Sequence, residues 1–190
     1  MRYVLLLLLL ATCTEPNETE PDPEMPENDF AELIEQRTAY MVEYEITSGI
    51  ITGSRMIEYV DGERHRTDMH AEGLETRIYN DQTTHSCTRL DEWRCEQSDT
   101  DTQIAPINTE TIERQPGEIT QRPPQTIAGT QATCFQVTYR ERDTEYCLSP
   151  EGIPLLARSL DPSQRLEMRA TRYTTSIPPG TFDLPADPHN

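Results

Sequence analysis

Apolar side chains in this chain fall into short clusters, and their spacing changes once. Phe30, Leu33 and Ile34 recur at intervals of three and four, which predicts an amphipathic helix running to about Arg37. Asn28-Asp29 supply a start signal, with Glu32 three residues after Asp29 as a capping-box partner. Beyond Arg37 the period becomes two. Tyr40, Val42, Tyr44 and Ile46 share one face and Met41, Glu43 and Glu45 the other, as in a half-buried strand. Further strands are predicted over 54–60, 63–70, 74–80, 83–89 and 93–97, with turns at Asp61-Gly62 and Asn80-Asp81. Residues 98–125 break the pattern with Pro106, Pro116, Pro123 and Pro124, and read as a long excursion with at most a turn or two of helix near 108–114. Strands resume over 126–139, 144–149, 153–158 and 164–175. Short antiparallel strands with frequent turns and one or two short helices predict a mainly β fold, a curved or half-closed antiparallel sheet.

The N-terminus follows other rules. Met1-Arg2-Tyr3 is a positive start and Val4–Ala11 a short apolar run, too short to span a bilayer and suited to a signal peptide over residues 1–12. Leu10-Ala11-Thr12-Cys13 resembles the lipobox of prokaryotic lipoproteins, which implies lipidation of Cys13 and a membrane anchor on the extracytoplasmic side. Threonine before the cysteine departs from the small residues usual there. Residues 13–29 then form an acidic, Pro-rich tether, with seven acids and four prolines over 14–29. Such composition cannot bury a core and extends by self-repulsion. Asn17-Glu18-Thr19 matches the N-glycosylation sequon. The remaining residues, 30–190, make up the β domain.

Setting Cys13 aside leaves four cysteines, an even number, as expected of disulfides in an exported chain. Cys87 and Cys95 flank one expected hairpin turn and Cys134 and Cys147 another, so strand pattern favours these two pairs. Their spacings lack the C-x₂-C pairs of structural zinc sites, and no metal is expected.

Charge changes the picture of partners. The chain has 16 Arg and Lys together, all of them Arg, against 34 acids, for a net charge of −18. Removing the leader and tether still leaves −12 on residues 30–190. A nucleic-acid binder needs a basic footprint, so that class is excluded. Acidic excess without lysine suggests a halophile-like chain whose self-repulsion is screened by salt.

Three short motifs then point to a family. Tyr59-Val60-Asp61-Gly62-Glu63-Arg64-His65-Arg66-Thr67-Asp68 resembles a hairpin of the LolA/LppX-like lipoprotein carriers. Ser149-Pro150-Glu151-Gly152-Ile153-Pro154-Leu155 and Phe182-Asp183-Leu184-Pro185 are similar to two further motifs of that family. The resemblance covers about residues 30–187 and implies an unclosed half-barrel with helices in its mouth and a hydrophobic cavity. The function implied is binding or carriage of an acyl chain or a lipoprotein. The alternative is a surface interaction module with a filled core. The candidate cavity lining is Tyr40, Val42, Tyr44, Ile57, Tyr59, Leu74, Ile78, Phe135, Val137, Leu166 and Met168. Catalytic chemistry is not indicated. Ser86 beside His85 lacks the glycine context of a nucleophile elbow, no phosphate loop or H-E-x-x-H occurs, and a His65–His85 metal pair across strands is only geometrically conceivable. A non-enzymatic protein without a cofactor is expected.

Overall fold

Strands in this chain pair almost entirely with their neighbours in sequence. The computed structural model describes residues 28–48, 52–71, 73–98, 118–139, 142–163 and 166–189. Cys13, Asn17, the leader, nearly all of the tether and the expected helical turns near 108–114 lie outside these. A helix, α1 (Asn28–Glu35), precedes six strands: β1 (Tyr40–Ser48), β2 (Thr52–Asp61), β3 (Arg64–Ala71), β4 (Leu74–Asn80), β5 (Thr84–Arg89) and β6 (Trp93–Ser98). A second set follows: β7 (Glu118–Ile127), β8 (Thr130–Tyr139), β9 (Arg142–Leu148), β10 (Pro154–Ser159), β11 (Leu166–Thr174) and the short β12 (Pro188–His189). All twelve form one sheet in the order β12-β6-β5-β4-β3-β2-β1-β11-β10-β9-β8-β7. Two meanders, β1–β6 and β7–β11, are joined by the antiparallel β1–β11 ladder. The second meander curls back towards that ladder. Arg169 Nη2 donates to the Thr126 carbonyl at 3.5 Å, and the Thr130 and Tyr173 hydroxyls are 3.0 Å apart. The expected unclosed antiparallel half-barrel is the architecture found.

The strand count exceeds expectation for definite reasons. Residues 118–127 form β7, although they fall mostly in the expected excursion. Their Pro123-Pro124 sits where the β7–β8 register breaks, between Arg122 and Gln125. At the edge of a sheet the missing proline donor breaks no second ladder. The strand expected over 126–139 is two strands, because Ala128 (φ 49°) and Gly129 (φ 80°) make a tight turn. Glycine is at home there, and alanine is not, so the turn carries no usual sequence signal. His189 belongs to β12, which lies parallel to β6.

The apolar residues form three clusters. The largest joins Tyr40, Val42, Tyr44, Met56, Leu155, Leu156 and Met168 with the Cys134–Cys147 disulfide. A second lies under α1, where Phe30 meets the Phe135 ring edge-on at 4.9 Å and Ile34, Val137 and Leu148 fill in around them. The third is small: Tyr79, Trp93, Leu184 and Ala186 around the Cys87–Cys95 disulfide.

The helix is seated by the turn after β9. Buried Ser149 accepts from the Glu151 and Ile153 amides, both at 3.2 Å, and closes a loop that brings Gly152 under α1. A Cβ on Gly152 would stand 1.7 Å from the Leu33 carbonyl oxygen, and its φ is +74°. Only glycine fits both the contact and the backbone there.

Candidate functional site

Register decides which side chains face inward. Tyr40, Val42 and Tyr44 pair with Val60, Glu58 and Met56. The inward set of β2 is therefore Ser54, Met56, Glu58 and Val60, and a glutamate enters the apolar face. Ile57 and Tyr59, expected among the cavity residues, lie on the opposite face. Ile57 is buried there, and Tyr59 lies beneath the Arg66 guanidinium at 5.0 Å. Tyr40, Val42, Tyr44 and Met168 join the large cluster, whereas Phe135 and Val137 join the one under α1. Ile78 is half-buried. Leu74 and Leu166 are 41% and 49% exposed at strand starts, so they line no interior. Ten of the eleven expected residues thus divide among two clusters, the opposite face and the surface, and Ile78 stands half-buried outside both clusters.

Glu58 is the functional-type residue that pattern reading missed. It is 3% exposed, and the Tyr44 hydroxyl lies 3.5 Å from its Oε2 while donating at 2.8 Å to the Pro154 carbonyl. Burial pushes its carboxyl up from 4.5 to about 7, against the pull of Arg37 and the Tyr44 and Tyr40 hydroxyls. Burial, reinforced by Glu58, likewise pushes the Tyr40 and Tyr44 hydroxyls well above their ordinary value. Burial and then Arg37 lower His65. The signal was present in part, because Ser54, Met56 and Val60 alternate with Glu58, but Ile57 and Tyr59 argued for the other phase.

The opposite face of β2–β6 carries an arginine lattice. Arg66 binds Asp68 through two nitrogens at 2.6 and 2.5 Å and donates to the Thr181 carbonyl at 2.5 Å. Arg77 reaches Glu75 at 2.8 Å and Asp68 at 3.8 Å, and Arg89 also pairs with Glu75. Arg77 and Arg89 both lie over the Trp93 ring, at 4.3 and 5.2 Å. Arg64 lies 4.7 Å from the centre of the Phe182 ring. The segment from Ile177 to β12 thus covers this face, contributing Thr181, Phe182, Leu184 and Ala186. Bidentate pairing and stacking of this kind need guanidinium rather than ammonium groups, which gives the all-arginine composition a structural use.

Two groupings of metal-ligand types occur among the described residues, and in both the carboxylates are already engaged. Asp68, His70 and Glu75 converge, but arginines hold both carboxylates. Cys134, Glu145 and Cys147 converge, but the sulfurs are joined and Glu145 pairs with Arg158 and accepts from Gln125 at 2.8 Å. His65 aligns with Asn80 and His85 with Tyr79, on opposite faces of the sheet. A shared ion between the two histidines is thereby excluded, and Ser86 and His85 also point to opposite faces.

The inner face changes character at β5 and β6. Ser86 pairs with Glu96 and Thr88 with Arg94 in register, so the surface here is hydroxyl-bearing and charged. With the Leu90-Asp91-Glu92 turn these residues line a pocket of about 540 Å³. Leu90 is 79% exposed at its rim. On their outer face β5 and β6 meet Leu184 and Ala186 of the C-terminal segment, and edgewise they pair with β4 and β12. The Cys87–Cys95 bridge braces the hairpin from behind.

The fold is shared with solved structures. The chain superposes on the crystal structure of MucB with a TM-score of 0.53 at 17% identity, over 84% of this chain and 62% of that one. It superposes on the Pseudomonas aeruginosa MucA/MucB complex with a TM-score of 0.57 at 17% identity, over 84% of this chain and 60% of that one. MucB in complex with MucA(peri) gives 0.50 at 18% identity, over 85% and 60%. The chain therefore spans about three fifths of the structures it matches, and the likeness is one of fold. The sequence matches no family model and no curated protein.

Proposed function

We propose that this protein is a non-enzymatic binding module of an extracytoplasmic compartment, held to the membrane through a lipid on Cys13, and that its ligand is a polypeptide. The observation that carries this reading is the unequal use of one sheet. The β1–β2 and β7–β11 part has a filled apolar core, while the β5–β6 part presents a braced, polar, open pocket. A polar pocket with an exposed leucine at its rim suits a peptide better than a bare acyl chain. Disulfides belong to oxidising compartments, and the matched fold includes a protein solved in complex with a protein partner. A hydrophobic ligand is the second reading, favoured by the apolar cluster beneath α1, which movement of that helix would expose.

The test places a photo-crosslinking amino acid at Thr88 of the full chain in its own cells and identifies adducts by mass spectrometry, with lipid extraction in parallel. A polypeptide adduct dependent on position 88 is expected. A stoichiometric acyl lipid without such an adduct would favour the second reading. Mass spectrometry of the mature N-terminus tests the lipid on Cys13, and an unmodified cysteine would remove the anchor from the proposal.

A further inference from the structure

Arginines and acids are balanced differently on the two faces of the β3–β6 region. Arg66, Arg77 and Arg89 are held on the outer face by Asp68, Glu75 and the Trp93 ring. The pocket on the inner face keeps Asp91, Glu92 and Glu96 against Arg94 alone. None of these three acids forms an ion pair among the described residues. Accumulating unpaired charge in a concavity raises its local potential more than the same charge spread over a convex surface. Leu90, 79% exposed, adds an apolar contact at the rim, and Ser86 and Thr88 offer hydroxyls on its floor. The floor is rigid, because Cys87 and Cys95, which alternate with these residues along the same strands, are bridged.

From this arrangement we infer that the β5–β6 pocket is a docking site for an extended basic peptide segment carrying an apolar side chain beside its cations. The inference rests on the polypeptide reading above and adds the chemistry of the partner. Acids at the mouth take the cations, Leu90 takes the apolar side chain, and the hydroxyls meet the peptide backbone. A volume of about 540 Å³ holds a few residues of such a segment. Recognition is electrostatic in its approach and therefore weakens with salt.

The test measures anisotropy of two fluorescein-labelled heptapeptides, one alternating Lys and Leu, the other Glu and Leu, with a fluorescent fatty acid as a third probe. Binding is measured to the full chain at about 0.1 M salt. One variant neutralises the pocket (Asp91→Asn, Glu92→Gln, Glu96→Gln). A matched control neutralises three exposed acids elsewhere (Glu32→Gln, Glu35→Gln, Glu118→Gln), so both change net charge equally. Saturable binding of the Lys–Leu peptide is expected, weakened at least tenfold by the pocket variant and less than twofold by the control. Leu90→Ser should weaken it severalfold. Equal loss in the two variants would show attraction to the diffuse negative field and overturn the site. Preferential binding of the Glu–Leu peptide would overturn the basic chemistry while leaving a polypeptide ligand in place. Saturable fatty-acid binding with neither peptide bound would overturn both this inference and the reading beneath it. No binding by any probe would overturn the inference.

Discussion

The two halves of this sheet reach order by different means. The half formed by β1, β2 and β7–β11 buries rings and aliphatics, with Tyr40, Val42, Tyr44, Leu155 and Leu156 almost wholly out of water. The β3–β6 half has few aliphatics to bury. It is held by a disulfide, by arginines clamped between carboxylates and rings, and by the C-terminal segment laid across them. A chain that is 34% apolar cannot fill a core beneath twelve strands. It concentrates hydrophobic burial in one half and substitutes paired polar groups in the other. Among the described residues, the half held by paired polar groups is the half whose inner face carries the pocket.

This contrast can be broken from either side. The largest effect is expected from Phe30→Ala, which empties the cluster under α1 and should cost about 4 kcal/mol of unfolding free energy in urea titration. In the polar half, Arg66→Ala leaves Asp68 buried with only a distant Arg77, and should cost about 3 kcal/mol by the same measurement. A loss as small as that of a surface pair, below about 1 kcal/mol, would show that the lattice is ornament to the fold. Replacing Cys87 and Cys95 with alanine opens a short loop and should cost about 2.5 kcal/mol, read as a lower melting temperature under non-reducing conditions.

Glu58 sharpens the comparison, because it is the one acid of the apolar half treated as the polar half never treats its own. Its carboxyl ordinarily titrates at 4.5 and in the fold at about 7. Between those values the folded chain retains a proton that the unfolded chain has lost. Its contribution to stability therefore falls as pH rises from 4.5 towards 7, with the penalty complete above 7 and absent below 4.5. Glu58→Gln should remove that slope and be more stable than the parent at pH 8 by roughly 2 kcal/mol. Parallel pH profiles for the two proteins would contradict the burial of a charged group here. The smallest effect belongs to Leu90→Ser, which should change stability by less than about 0.5 kcal/mol because the side chain is already in water.

Much of this molecule was legible in its sequence where local chemistry decides. The change of period at Arg37, the Asp61-Gly62 turn and the paired spacing of cysteines each act over a few residues and were readable there. The rest depended on distant partners. The phase of β2 could not be read because both of its faces carry buried residues, Met56 and Val60 on one and Ile57 on the other, with Tyr59 beneath Arg66, so alternation carried no clean contrast. Strand β7 hid behind Pro123-Pro124, which only an edge position tolerates. The expected cavity residues do not share one face for the same reason, since Ile57 and Tyr59 lie away from Tyr40, Val42 and Tyr44. The pocket at β5–β6 left no apolar signature, and its acids looked like ordinary turn residues.

The order of the strands has a consequence for how the chain assembles. Within each meander every pairing joins segments adjacent in sequence, so each can form early and quickly. The β1–β11 ladder is different, since it aligns Met41 with Thr174 and Ser48 with Leu166 and must close nearly the whole domain into one loop. Two such pieces, each locally complete and joined by that ladder, by α1 against β8 and β9 and by the C-terminal segment against β3–β6, are the arrangement in which one copy can lend a meander to another. Slow docking of the two meanders, and exchange of them between molecules at high concentration, are built into this connectivity.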